Sequence, residues 1–124
     1  MAFPSLTSAY KIGKKTESLH FDWESAHQVS YKVEEEWQEL KEEMMPDQKN
    51  LERIEEELGD FLFSSAQLAR HLGLNPEETL RKANQKFINR FQKVEDLIKQ
   101  SKKDISELDQ EKMDSYWAQV KSME

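Results

Sequence analysis

The chain contains no cysteine. That removes a disulfide framework, a thiolate nucleophile and zinc–sulfur coordination. Three glycines and three prolines in 124 residues are too few for a succession of short strands, which need a turn roughly every 8–12 residues. No apolar run approaches the ~18 residues of a membrane-spanning helix. The N-terminal stretch MAFPSLTSAYKIGKK lacks the long apolar centre of a signal peptide. Basic residues are outnumbered, 18 Lys and Arg against 25 Asp and Glu, for a formal net charge of −7. A surface of that sign disfavours nucleic acid and anionic membrane as partners. It leaves room for a small anionic ligand, because a bound divalent cation reverses the local sign. The expectation is a soluble cytoplasmic protein forming one domain over residues 1–124, with one hydrophobic core.

What the chain does have is charge, at 35% of residues, and apolar residues recurring at three- and four-residue steps. A short first helix is expected over about residues 4–15. A second, capped by Asp22, carries Trp23, Ala26, Val29, Val33, Trp37, Leu40 and Met44 and ends before Pro46. A third, capped by Asp47 or Asn50, carries Leu51, Ile54, Leu58, Phe61, Leu62, Leu68 and Leu72, with Gly73 as the positive-φ residue after it. Asn75-Pro76 gives an N-cap with proline at the first helical position. The fourth helix then carries Leu80, Ala83, Phe87, Phe91, Val94 and Ile98. Residues 101–109 read as a polar loop, and a last short helix sets Met113, Tyr116, Trp117 and Val120 on one side. The second and third helices, at roughly 21 and 25 residues, would be about 30–38 Å long. One chain of this size would struggle to cover the apolar faces of such rods. The expected fold is therefore all-α, a bundle of four to five helices whose core is completed by homo-oligomerisation.

Four acidic residues fit poorly with a merely solvated surface. Glu36 lies one turn from both Val33 and Leu40, and Glu39 follows three residues later near the same face. Glu57 has Ile54, Leu58 and Phe61 as helical neighbours, and Asp60 interrupts the run Leu58-Gly59-Asp60-Phe61-Leu62-Phe63. A buried carboxylate must be paired, hydrogen-bonded or bound to a cation, or else it protonates. Two facing pairs would also repel, by ~3 kcal/mol per contact at ~5 Å and an effective dielectric near 20. A divalent cation between them relieves that repulsion, and an all-oxygen ligand set suits Mg²⁺ or Mn²⁺. The alternative is a structural network in which Asp60 and Glu57 pair with Arg53, Lys86 or Arg90. On the fourth helix, Lys82, Lys86 and Arg90 stand at four-residue steps with Lys93 nearby, and Lys86 and Arg90 flank Phe87 and Phe91. Such a basic stripe can neutralise phosphate oxygens and a leaving group, or it is a solvated helix face. Trp117 and Lys121 form another four-apart pair, where the aromatic either covers a base or belongs to the core.

The strings Lys32-Val33-Glu34-Glu35-Glu36-Trp37-Gln38-Glu39-Leu40 and Glu56-Glu57-Leu58-Gly59-Asp60-Phe61-Leu62-Phe63 resemble the paired EExxE and ExxD motifs of the MazG nucleoside triphosphate pyrophosphohydrolases. The likeness continues through Gln67-Leu68-Ala69-Arg70-His71-Leu72-Gly73 and Arg81-Lys82-Ala83-Asn84-Gln85-Lys86-Phe87 with Arg90-Phe91. It also takes in Phe21-Asp22-Trp23 upstream and Met113 to Lys121 at the end, so it covers nearly the whole chain. Members often carry two such domains, and this chain is similar to the C-terminal one alone. The resemblance implies metal ligands at Glu36, Glu39, Glu57 and Asp60, with Glu35 close to the site. It implies contacts from Lys86 and Arg90 to the triphosphate, and a nucleotide pocket closed by Trp117 and Lys121. It further implies an all-α fold, Mg²⁺, tolerance of several bases, and a dimer or dimer of dimers. Two positions depart from the pattern: His20 stands where the family often has Gly, and Trp37 replaces a more usual aliphatic residue.

The reaction so implied is hydrolysis of NTPs or dNTPs to monophosphate and pyrophosphate, by attack of a metal-activated water on the α-phosphorus. Glu35 or Glu36 is placed to take the water's proton. No Ser/His/Asp or Cys/His set suggests a covalent intermediate, and there is no GxxxxGK[ST] phosphate loop. Two Glu-x-x-His strings, Glu17–His20 and Glu24–His27, raise a di-iron bundle, but both lie in one stretch instead of on two separate helices. The competing class is a non-enzymatic helical oligomerisation or regulatory module with a vestigial acidic site.

Overall fold

The computed structural model describes residues 3–124, so the first two residues of the stretch read above for a signal peptide lie outside the described residues. The described residues contain helices and no strand: α1 (Ser5–Ser18), α2 (Ala26–Met44), α3 (Leu51–His71), α4 (Pro76–Gln100), a 3-10 turn (Ile105–Glu107) and α5 (Gln110–Ser122). None of these helices is long and apolar enough to cross a membrane.

Helix ends fall where the chain supplies caps. Asn50 Oδ1 accepts from the Arg53 amide at the start of α3, and Asn75 Oδ1 accepts from the amides of Glu77 and Glu78 at the start of α4. Asp109 caps α5 in the same way. At the other ends, α1, α3 and α4 all close with a left-handed residue, His20 (φ 63°), Gly73 (φ 77°) and Lys102 (φ 59°). In each case two amides beyond the helix fold back onto its last free carbonyls. Phe21 bonds to Thr16 and His20 to Glu17, Leu74 to Ala69 and Gly73 to Arg70, Lys103 to Ile98 and Lys102 to Lys99. His20, the position where the resembling family often carries Gly, is thus held in a conformation that glycine adopts without steric cost.

The second helix corrects the expectation built on Asp22. It begins at Ala26 behind Ser25, whose hydroxyl accepts from the Gln28 amide. Asp22 instead receives two hydrogen bonds from Arg70, at 2.6 and 3.0 Å. A cap needs one amide, and a buried guanidinium is the stronger competitor for that carboxylate. The helices are also shorter than expected, 19 residues for α2 and 21 for α3.

The chain divides into two compact units, one running to Thr79 and the other comprising Leu80–Glu124. In the first, α1 and α2 both pack on α3, burying Ala9, Val29, Leu40 and Ala66. Buried polar groups join the apolar ones. Gln67 donates to the Ala9 carbonyl at 2.8 Å and accepts from Arg70 Nε at 2.9 Å. Arg70 reaches on to Glu17 at 3.2 Å, and His71 Nε2 lies 3.0 Å from Asp22. Gly13 of α1 faces this network, and a β-carbon there would run into Gln67 and Arg70. The second unit is built on Val94, Ile98 and Val120, with Leu97, Leu108, Met113, Tyr116 and Trp117 packed against them. Leu58, Leu62, Leu80 and Phe87, expected on core faces, are 42–59% exposed.

Candidate active site

Two helical turns of α2 and one of α3 bring three carboxylates together. Glu36 and Glu39 sit one turn apart on α2, Glu57 stands on α3, and one oxygen from each lies within 4.8 Å of the others. Glu36 is only 6% exposed, and the other two are half-buried. Glu36 Oε2 and Glu57 Oε2 are buried without a hydrogen-bond partner among the described residues. Leaving a buried carboxylate oxygen bare costs the desolvation of that group.

The remaining contacts show how the protein moderates the repulsion. Lys32, one turn before Glu36, places Nζ 2.9 Å from Glu36 Oε1 and 3.4 Å from Glu35 Oε1. The same contact pushes the Lys32 ammonium above its ordinary pKa, with the Glu36 hydrogen bond as the largest cause. The charge of Glu36, followed by a hydrogen bond with Glu57, pushes the Glu39 carboxyl up to about 7. The repulsion where three carboxylates converge is thus met from one side by Lys32 and shows itself in the raised Glu39. A hard divalent cation fits this donor set. It accepts oxygen ligands, satisfies the two bare oxygens and removes the repulsion that raises Glu39.

Asp60 and Glu35 are placed differently. Asp60 is exposed on α3, three residues after Glu57, and lies outside the group of three. The burial expected from its place in an apolar run is absent: on its own face Phe63, one turn on, is 39% exposed, and the run's Leu58 and Leu62 are also open, at 42% and 51%. Glu35 points to a more open position, its side chain 57% exposed and paired with Lys32. The motif string that begins at Lys32 gives this lysine no role, although its four-residue spacing from Glu36 is a signal for the pair. Lys32 also lines the edge of a cavity of about 560 Å³ whose walls include Ile12, Thr16, Phe21, Trp23 and Phe63.

In the second unit Lys86 and Lys121 are exposed, whereas the Arg90 side chain is only 13% exposed. Arg90 donates to Glu124 from Nε at 3.0 Å and from Nη2 at 2.6 Å. Its guanidinium carbon lies 5.4 Å from the centre of the Trp117 ring, which in turn packs on Phe87 at 5.0 Å. Trp117 is thus both a core residue and a platform for a cation. The basic residues Arg90, Lys93 and Lys86 together hold the Glu124 carboxyl below its usual range, with the Arg90 hydrogen bond foremost.

The MazG nucleotide pyrophosphohydrolase domain matches residues 24–95, which include all of α2 and α3 and the acidic group. The chain is 42% identical over 118 residues to the nucleoside triphosphate pyrophosphohydrolase/pyrophosphatase MazG of Thermotoga maritima, covering 95% of this chain and 44% of that protein. It is 39% identical over 123 residues to the nucleoside triphosphate pyrophosphohydrolase of Escherichia coli K12, covering 99% of this chain and 47% of that one. A shorter match, 35% over 71 residues, relates 57% of this chain to 14% of YabN of Bacillus subtilis. The chain spans about half the length of the two longer curated relatives it matches.

Proposed function

Because the chain belongs to the MazG nucleotide pyrophosphohydrolase domain family, we propose that it hydrolyses nucleoside triphosphates, NTP or dNTP with broad base tolerance, to monophosphate and pyrophosphate in a Mg²⁺-dependent reaction. The observation that carries this reading is the group Glu36, Glu39 and Glu57, with two buried carboxylate oxygens that lack any partner among the described residues. Glu36, Glu39 and Glu57 would hold Mg²⁺, or Mn²⁺ in its place, and Asp60, exposed one turn beyond Glu57, would join them. When bound, Mg²⁺ supplies charge neutralisation at the phosphates and lowers the pKa of a water.

In the reaction, a water oxygen forms a bond to the α-phosphorus while the bond from that phosphorus to the bridging oxygen breaks. The water's proton passes to a carboxylate, and pyrophosphate departs with the electron pair of the broken bond. Either Glu35 or Glu36 takes that proton. Lys32, held between them, keeps a positive charge beside the acceptor. Lys86 and Arg90 would meet the triphosphate and stabilise the charge on the leaving group. Trp117 and Lys121 would close on the nucleotide.

The open apolar residues of α2 and α3, among them Trp37, Leu58 and Leu62, support a homodimer or homotetramer in which a further copy covers them. We place the enzyme in the cytoplasm. The test is pyrophosphate release from a panel of NTPs and dNTPs, with Mg²⁺ and with EDTA, for wild type and Glu57→Gln. Monophosphate plus pyrophosphate, lost with EDTA and on the order of 10²-fold or more lower in the variant, is expected. Orthophosphate as the first product, or turnover that survives both treatments, would refute the reading.

A further inference from the structure

We propose that Glu124 is a positioning residue for Arg90, holding one edge of its guanidinium so that the other edge is presented to a phosphate. The inference rests on the reading of Arg90 as a triphosphate contact and adds a residue that acts through it.

A guanidinium has five N–H donors arranged as a rigid fork. Glu124 takes the Nε–H with Oε1 at 3.0 Å and one Nη2–H with Oε2 at 2.6 Å. That bidentate grip leaves Nη1 and the outer N–H of Nη2, which form the edge that pairs with a second anion. Trp117 fixes the plane from one face, with the guanidinium carbon 5.4 Å from its ring centre. Edge and plane are both set, so the free donors have one direction.

The grip is built into the core of the unit. Arg90 stands four residues before Val94 on α4, and Glu124 stands four residues after Val120, two residues beyond the end of α5. Val94 and Val120 are both fully buried in the same cluster. That cluster brings the two segments together, and Arg90 and Glu124 meet beside it. The backbone at Glu124 is secured as well, its amide bonding to the Lys121 carbonyl at 3.3 Å and that of Met123 to Val120 at 3.1 Å. Two other positive charges, Lys86 and Lys93, also act on Glu124.

The competing role is that of a placeholder, an anion that substrate must expel. The two roles predict opposite signs. Binding of inorganic tripolyphosphate to the whole chain, followed by calorimetry, separates them without needing turnover. Positioning predicts that Glu124→Ala weakens tripolyphosphate binding about tenfold, the scale of one lost charge-assisted hydrogen bond. It also predicts an intermediate loss for Glu124→Gln, which keeps one acceptor, and no further loss for Glu124→Ala when Arg90 is already Ala. If NTPs are turned over, kcat should fall along with the rise in KM, because a misaligned guanidinium serves the transition state less well. Tighter or unchanged tripolyphosphate binding by Glu124→Ala would overturn the proposal, as would an equal effect of Glu124→Ala in the Arg90→Ala background. Absence of tripolyphosphate binding by the wild type would do the same. No turnover of any NTP together with the expected pattern of binding would defeat the hydrolase reading alone.

Discussion

Lys32 and Glu36 lie one turn apart on α2, with Nζ 2.9 Å from Oε1, while the other oxygen of the same carboxylate has no hydrogen-bond partner among the described residues. Lysine neutralises Glu36 from one side only. An oxygen of Glu36 also lies within 4.8 Å of one from Glu39 and one from Glu57. A cation bound there would therefore add to the Lys32 contact and need not displace it.

The first prediction follows from that geometry. Lys32→Met removes the lysine paired with Glu36 and leaves that nearly buried charge without its ion-pair partner. Breaking a fully buried pair costs about 3–5 kcal/mol. The Lys32 side chain is 37% exposed, and solvent screening brings the expected loss to about 1 kcal/mol. Mg²⁺ should return more stability to this variant than to the wild type. Thermal melts of both proteins in EDTA and in millimolar Mg²⁺ check this, and identical Mg²⁺ shifts would count against a cation site at Glu36.

Asp60 supplies the second prediction. It is exposed and stands outside the three-carboxylate group, so Asp60→Asn should leave stability within about 0.5 kcal/mol of wild type. As a fourth ligand it should nonetheless matter for the metal, with Mn²⁺ affinity falling roughly 10–100-fold. Urea unfolding and Mn²⁺ titration on the same preparation test both halves. A variant that binds Mn²⁺ like wild type would reduce the ligand set to three.

How far the fold could be read from the sequence depended on whether each signal was local. The caps at Asn50 and Asn75 and the glycine stop at Gly73 were legible, because each needs only its own residue type. The same C-terminal motif at His20 and Lys102 was not, since neither residue announces a left-handed conformation. Asp22 misled for a related reason. A carboxylate near a helix start reads as a cap, and its actual partner, Arg70, is 48 residues away. Glu36, Glu39 and Glu57 were legible as carboxylates spaced among apolar residues. Asp60 carried the same apolar neighbours, but whether they are covered depends on packing that helical spacing does not encode. Glu124 was invisible, because its meaning lies wholly in its contact with Arg90.

The third prediction concerns acid. The hydrogen bond from Arg70, with further help from His71, holds the Asp22 carboxyl well below the usual carboxylate range. A group whose folded pKa lies below its unfolded value of about 3.9 stabilises the fold in full above that value. The contribution is then lost as pH falls from there toward the folded pKa. Wild-type stability should accordingly drop below about pH 4 more steeply than that of Asp22→Asn. At pH 7 the variant should be less stable by about 3 kcal/mol, because Arg70 then keeps a buried charge with only the half-exposed Glu17 left to pair it. Urea midpoints taken from pH 7 down to pH 2.5 give both quantities, and parallel curves would mean that Asp22 is not what the acid limb titrates.

The fourth prediction tests the α1–α3 contact that carries this network. Gly13 is buried, and a methyl group there would collide with Gln67 Oε1 and Arg70 Nε. Neither atom is free to retreat. Gln67 is fully buried and bonded to the Ala9 carbonyl, and Arg70 is bonded to Gln67, Asp22 and Glu17. Relief must come from α1 moving off α3 or from losing a buried hydrogen bond. Overpacking of this kind costs typically 1–3 kcal/mol, and Gly13→Ala should lie near the upper end, at about 3 kcal/mol. Replacing an exposed helical glycine normally has the opposite sign, since alanine favours the helix by up to ~1 kcal/mol. Gly59, on α3 with open space around its Cα, is the internal control, and Gly59→Ala should be neutral or stabilising. Urea unfolding of the two variants side by side decides the matter. A Gly13→Ala protein as stable as wild type would mean that α1 sits less tightly on Gln67 and Arg70 than the contact geometry requires.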